Sequence, residues 1–369
     1  YQCAMGALKP RHPRSNLTST RVSVAERHTV RQRVDGPDGP LVAFVKEFVH
    51  VEGDARLAMV RKRLPDEASA PRLGALVLTH GFGQNRYAWH LPGRSFVNHL
   101  AAAGWDVFNL DLRGHGRSGA LGSRPCAAID DYIRHDLPAA LDAALAVSGE
   151  ARAFLLGHSL GGLVGYAAAS TLGPRVAGIA TLGSPYAFGR GNRLLLELAR
   201  GLVRATSALD ARAKVPMRLV QGWFRAQRGL WDHPRLPFPV RAWHPESIEP
   251  ALLEDYLRLA FDGATFGELA SVVASGTAGR FASVDGAIDY AAAWESCDLP
   301  TLVVAGTRDL LAPEDSVLPA YERSRSRDKT YHAVPLGHAD LLVGRDAPRL
   351  VWPVVAAWLA RRAARNSPP

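Results

Sequence analysis

Three residues whose types and spacing could carry out acyl transfer occur along the chain in the order serine, aspartate, histidine. The serine lies in Gly157-His158-Ser159-Leu160-Gly161-Gly162, after the apolar run Ala153-Phe154-Leu155-Leu156 and before the small-residue run Leu163–Ala169. This pattern predicts a buried strand, a sharp turn and a helix, with G-x-S-x-G at the turn. Glycines two residues to either side remove the Cβ atoms that would collide with the neighbouring strand and helix. The turn would hold the Ser159 hydroxyl at the helix N-terminus, where the dipole favours developing negative charge. In a glycine-rich chain such a pattern also arises by chance. The flanking strand and helix are what make Ser159 a nucleophile candidate.

A seryl nucleophile needs a base, a carboxylate to orient that base, and donors for the oxyanion. Asp309 follows the apolar strand Pro300–Gly306, and His338 sits in the turn after Thr330–Val334. In an open parallel sheet, ligands bind at the carboxyl ends of strands, and Ser159, Asp309 and His338 all fall at such ends. For Asp309 the bland alternative is a turn or helix-capping role. His332 competes with His338 but lies inside a strand, whereas Gly337 lets its loop bring His338 to the serine. The expected oxyanion donors are the N–H of Leu160 and that of Phe82, in the loop His80-Gly81-Phe82-Gly83. Tyr87 and Trp89 are candidate walls of an acyl pocket, with core packing as the alternative.

The elements that must position these residues begin near Gly74, where a strand-loop-helix rhythm sets in. Strands are expected at 75–79, 105–110, 153–156, 176–182, 300–306 and 330–334, with helices around 92–103, 129–147, 313–323 and 348–364. The rhythm stops between 186 and 290, which marks an insertion. That stretch is helix-like and rich in large apolar groups, Trp223, Trp231, Trp243, Tyr256 and Phe261 among them. Its side chains are expected to form a small core of their own, while the inner face of a helical lid, with Trp223 and Trp231, lines an apolar substrate pocket. Ahead of the rhythm, residues 41–50 and 56–61 read as an antiparallel hairpin at a sheet edge. Residues 1–40 read as a basic, extended arm.

With a net charge of +9 the chain looks suited to nucleic acid, but its basic residues are nearly all arginine and are scattered, so no nucleic-acid partner is expected. Weak contact with an anionic membrane surface is compatible with that charge. Cys3, Cys126 and Cys297 are far apart and odd in number, which excludes a disulfide framework and makes a reducing cytoplasm the default. No apolar run reaches membrane-spanning length. The chain opens on Tyr1, which is compatible with trimming or a removed signal peptide.

Taken together, His80-Gly81-Phe82, Asp111–Ser118, Gly157–Gly162, Gly306–Asp309 and Gly337-His338 resemble the α/β-hydrolase superfamily, over roughly residues 41–185 and 295–365. The resemblance implies an α/β fold: a mostly parallel twisted sheet flanked by helices (41–185 and 291–369) with an inserted helical cap (186–290). The chain order of Ser159, Asp309 and His338 is that family's order. Asp111–Ser118 is similar to a loop of monoglyceride lipases, esterases and perhydrolases, with Asp111 and His115 as braces. Asp136–Asp142 after Tyr132 is similar to a helix of acid lipases and polyhydroxyalkanoate synthases. Those synthases usually carry cysteine at the elbow. Haloalkane dehalogenases and most epoxide hydrolases of the fold carry aspartate there, so Ser159 argues against both. The expectation is a serine esterase or lipase for a small-molecule or lipid-like ester with an apolar acyl group, needing no cofactor and no metal. The alternatives are a thioesterase or acyltransferase (macrocycle closure included) and, less favoured, a ligand receptor on the same scaffold.

Overall fold

The computed structural model describes residues 20–366, except 37, 69, 189, 279, 280 and, between 216 and 240, all but Gly222, Gln227 and His233. A nine-stranded sheet organises the molecule, in the order β1-β2-β3-β7-β4-β8-β9-β10-β11. Here β1 is Arg21–Arg33, β2 Leu41–Glu52, β3 Arg56–Arg63, β4 Gly74–Thr79, β7 Trp105–Asp111, β8 Ala153–His158, β9 Val176–Leu182, β10 Thr301–Gly306 and β11 Lys329–Val334; β5 (His90–Leu91) and β6 (Arg94–Ser95) form a separate small ribbon. From β7 to β11 every pairing is parallel, whereas β1, β2 and β3 meander antiparallel onto β7.

The apolar runs exist because the sheet is covered on both faces, so both sets of alternating side chains must be buried. On β4, Leu76 and Leu78 join the cluster of Trp105, Phe154, Trp352 and Trp358, while Ala75 and Val77 point to the opposite cluster with Tyr132, Leu141, Val164 and Tyr166. The helix Leu160–Leu172 packs on that second face and the helix Trp352–Asn366 on the first.

Two sequence expectations are corrected here. The supposed arm is not free up to residue 40: Arg21–Arg33 pairs with β2 from Arg21↔Glu52 to Arg33↔Leu41, so the outer edge is β1 and not the β2–β3 hairpin. This strand is exposed or half-buried along its whole length and carries no one-sided apolar pattern. Its structure comes from the backbone partners that β2 offers, which no local periodicity reveals; its charges suit an edge.

The second correction concerns the inserted segment. The chain leaves the sheet after Leu182 and returns at Thr301, through the helices Arg193–Ala205, Pro250–Leu259, Phe266–Ala278 and Tyr290–Glu295. Among the described residues, its large apolar side chains join the sheet's clusters and form no core of their own. Trp243, Ile248, Leu253, Tyr256 and Leu257 join the cluster on one face of the sheet, and Phe281, Tyr290 and Trp294 join the other. Pooling them into existing clusters removes more apolar area from water than a separate small core could.

Candidate active site

Ser159 has φ 53° and ψ −122°, between the end of β8 and the first residue of the helix Leu160–Leu172. A side chain in this region costs about 1–3 kcal/mol, so the surroundings must hold it there. They do so by close packing. A Cβ on Gly161 would stand 2.2 Å from the Thr79 carbonyl oxygen, and one on Gly157 2.4 Å from Gly162 Cα. Ser159 N–H donates to the Leu182 carbonyl at 3.0 Å, tying the turn to the end of β9. Ser159 is partly exposed between the buried His158 and Leu160. Leu160 N–H lies in the first helical turn, which no intrahelical carbonyl reaches.

Asp309 and His338 arrive from the ends of β10 and β11. His338 Nδ1 and Asp309 Oδ2 are 2.7 Å apart, with both side chains buried. The second oxygen of Asp309 accepts the N–H groups of Leu311 and Ala312, each at 2.8 Å, which fixes the carboxylate's direction. Because the carboxylate accepts from Nδ1–H, the other ring nitrogen is left as a base. The two loops meet the elbow: a Cβ on Gly183, next to Leu182, would lie 3.2 Å from both Asp309 Oδ2 and His338 Nδ1. The rings of His158 and His338 are 4.7 Å apart. Asp309 and His338 thus meet beside the turn that carries Ser159, through Gly183 and His158, while His332 stays half-exposed on β11.

Several supporting residues escaped the motif reading. Buried His158 meets the His338 carbonyl oxygen through Nε2 at 3.1 Å, and burial, reinforced by His338, pushes its pKa well below the ordinary value. The neutral ring therefore donates Nε2–H and pins the histidine loop. Asp340 accepts from Gly337 N–H at 2.8 Å, His244 N–H at 2.9 Å and the Ser247 hydroxyl at 2.7 Å. The same loop is thereby tied to the inserted segment. Burial raises the Asp340 pKa above the usual carboxylate range despite those donors.

The loop carrying Phe82 is held from two sides. His80 accepts Leu112 N–H on Nε2 at 3.2 Å and lies 3.0 Å from the Gly81 carbonyl through Nδ1; burial, with His115 adding to it, holds it at about 4, so the ring is neutral. Gly81 N–H donates to Gln84 Oε1 at 3.1 Å, and Gln84 Nε2 donates to the Tyr256 hydroxyl at 2.6 Å. Gly83 N–H donates to buried Glu268 at 3.3 Å, and the Gly83 carbonyl accepts from Asp262 and Gly263. Tyr256, Asp262 and Glu268 all belong to the inserted segment. Gly81 has no room for a side chain: its Cβ would stand 3.1 Å from Ser159 Cβ. The signal available in the sequence was Thr265-Phe266-Gly267-Glu268, a capping box whose Thr265 hydroxyl accepts Glu268 N–H at 3.0 Å.

Asp111 and His115 brace, as expected. Asp111 accepts the backbone N–H groups of Arg86 at 2.8 Å and Arg117 at 2.9 Å, and His115 reaches the Tyr132 hydroxyl at 3.1 Å. Asp136 binds Arg113 through its backbone and guanidinium. The pocket candidates fare differently. Trp89 is 1 % exposed, edge-on to His158 at 6.4 Å, and is core rather than pocket wall. Tyr87 is half-buried, packed against the same cluster and covered by the Arg86 guanidinium 4.7 Å from its ring. Trp223 and Trp231 lie outside the described residues. A cavity of about 990 Å³ opens beside the acid loop, lined by Tyr186, Phe188, Leu196 and Phe281 among others, but not by Ser159, Asp309 or His338. Among the described residues, no group of His, Cys, Asp and Glu is placed to hold a metal ion, and no helix is long and apolar enough to cross a membrane.

This strand-end constellation on a mostly parallel sheet coincides with a family match. A model of the alpha/beta hydrolase fold matches residues 74–345, and the chain belongs to that family. Epoxide hydrolase A of Mycobacterium tuberculosis (strain ATCC 25618 / H37Rv) is 38% identical over 119 residues, 32% of this chain and 34% of that protein, so the match spans about a third of the relative's length. The (E)-2-((N-methylformamido)methylene)succinate hydrolase of Acinetobacter baylyi (strain ATCC 33305 / BD413 / ADP1) is 24% identical over 77% of this chain and 89% of its own. Among solved structures, the monoacylglycerol lipase of Paleococcus ferrophilus superposes with a TM-score of 0.56 at 19% identity, covering 83% of this chain and 99% of that one.

Proposed function

We propose that the protein is a serine hydrolase that cleaves a carboxylic ester with an apolar acyl group. The observation that carries this reading is the 2.7 Å Asp309–His338 contact at the ends of β10 and β11, with the His338 loop bonded to His158 next to the strained Ser159. His338 Nε2 takes the hydroxyl proton as Ser159 Oγ bonds to the ester carbonyl carbon. Asp309 keeps the ring in the reactive tautomer and stabilises the imidazolium. The oxyanion forms beside the N–H groups of Leu160 and Phe82, a contribution worth about 10²–10³ in rate for each donor. Collapse breaks the ester C–O bond, and His338 hands its proton to the departing alcohol. Water, deprotonated by the same histidine, then releases the carboxylic acid and restores Ser159.

Epoxide hydrolysis is the competing reading, because a partial relative bears that name. Serine at the elbow favours the ester, since it forms an acyl-enzyme that water can resolve. Leu194, Leu198 and Leu202, left exposed along the helix Arg193–Ala205 of the inserted segment, support an apolar acyl group, with that segment acting as a lid. Acyl transfer to an alcohol or release from a thioester would use the same machinery. The test is labelling by a fluorophosphonate mapped by mass spectrometry, run beside p-nitrophenyl esters of graded chain length and an aryl epoxide. Label on Ser159 with a chain-length optimum is the expected result. Epoxide turnover that survives Ser159→Ala would overturn it.

A further inference from the structure

A buried amine stands on β3 at Lys62. It is 1 % exposed, and its Nζ donates to Gln32 Oε1 at 2.5 Å and Asn98 Oδ1 at 2.6 Å, with the Phe44 ring 5.6 Å away. No carboxylate among the described residues pairs with it. An ammonium has three protons to donate, and a buried cation without a counter-charge is costly. Burial, with nearby Lys46 adding to it, lowers the Lys62 pKa to about 7.

Gln32 and Asn98 also line a cavity of about 400 Å³ between β1 and the β5–β6 ribbon. Arg31, Arg33, Arg94 and His90 line it too, and no Asp or Glu does. Two carboxylates close to lining residues are already engaged: Glu249 holds Arg94 through contacts of 2.8 and 2.9 Å, and Asp35 lies 2.6 Å from His99. His90 is bound to the Ser95 hydroxyl at 2.6 Å, and its pKa is pushed well below the ordinary value, by burial first and then by Lys62, Lys46 and Arg86. Every fixed charge that side chains bring to this cavity wall is positive. Its volume suits a small molecule, and guanidinium groups match the geometry of phosphate and carboxylate oxygens.

We propose that this cavity binds a small molecule through a phosphate or carboxylate group held by the Arg31 and Arg33 guanidinium groups at its rim. The site shares no residue with the candidate active site and stands or falls independently of the ester reading. The full chain is titrated calorimetrically, at constant ionic strength, with inorganic phosphate, with succinate and with vesicles containing phosphatidic acid. Saturable binding of a soluble anion, weakened at least ten-fold by Arg31→Gln/Arg33→Gln, is expected. Vesicle binding with the same losses, without soluble-anion binding, assigns the group to a lipid headgroup. Arg31 and Arg33 are exposed on the edge strand, so the double variant tests the site without disturbing the core. No saturable binding to any of the three probes, or binding that the double variant leaves unchanged, overturns the proposal.

Discussion

Ser159 and Phe82 face the same candidate site from regions held in place by different forces. Around Ser159 the constraint is steric and local: helix, β4 and β8 approach so closely that Gly157 and Gly161 leave no room for a Cβ. Around Phe82 the constraint is a set of hydrogen bonds from far along the chain, through Tyr256, Asp262 and Glu268. A steric constraint fails abruptly, because backbone cannot yield without moving a strand or helix. A hydrogen-bonded one loosens by degrees, about 1 kcal/mol at a time. Anchoring the Phe82 loop and the His338 loop to the inserted segment therefore leaves those loops adjustable while the Ser159 turn stays rigid.

The comparison can be broken or sharpened in four ways. The largest effect is expected from Ser159→Ala: ester turnover falls by about 10⁴-fold or more while folding is retained, as steady-state rates and circular dichroism would report. Unchanged turnover would remove Ser159 from the chemistry. Next comes acid stability, which bears on both regions through the buried neutral rings of His158 and His80. With His80 at about 4 when folded, the unfolded chain takes up the proton first as pH falls below about 6.5. Stability is full above that value and is lost towards pH 4, by on the order of 3 kcal/mol for His80 alone. Urea midpoints at pH 7.5 and 4.5 would show the decline; equal midpoints would contradict it.

Gly161→Ala tests the steric side. Its Cβ would meet backbone at Thr79, so a loss of about 1–3 kcal/mol in unfolding free energy is expected, with activity falling as the elbow shifts. Full stability would mean that the contact can relax. Glu268→Gln tests the hydrogen-bonded side with nearly the same shape. Weakening the hold on Gly83 should lower kcat by about ten-fold and leave KM unchanged, since the oxyanion forms only after binding. A rise in KM alone would place Glu268 in substrate binding instead.

The motif-bearing parts of this molecule were legible because their constraints are local. Glycines at 157, 161 and 162 declare a crowded turn, and doubly buried strands such as Ala153–His158 show as continuous apolar runs. Asp309 and His338 could be read as loop residues after such strands, and their contact bears out that placement. Trp89 was ambiguous because an aromatic near a glycine-rich loop suits a pocket wall and a core equally well. Only the neighbours that close over it decide.

By itself, then, the sequence determined the order of strands and helices, the elbow around Ser159 and the candidates Asp309 and His338. These depend on residues near one another in the chain. Tertiary structure alone decided that Arg21–Arg33 becomes an edge strand, that the inserted segment shares the sheet's two cores, and that Glu268, Asp340 and His158 steady the site. It also set Lys62 beside a cavity walled by arginines. The partner lies about 30 to hundreds of residues away in the buried polar contacts, and 8 to 31 residues on for the edge strand. Backbone pairing and buried polar contacts leave no periodic trace in the sequence, because they depend only on where the folded chain returns.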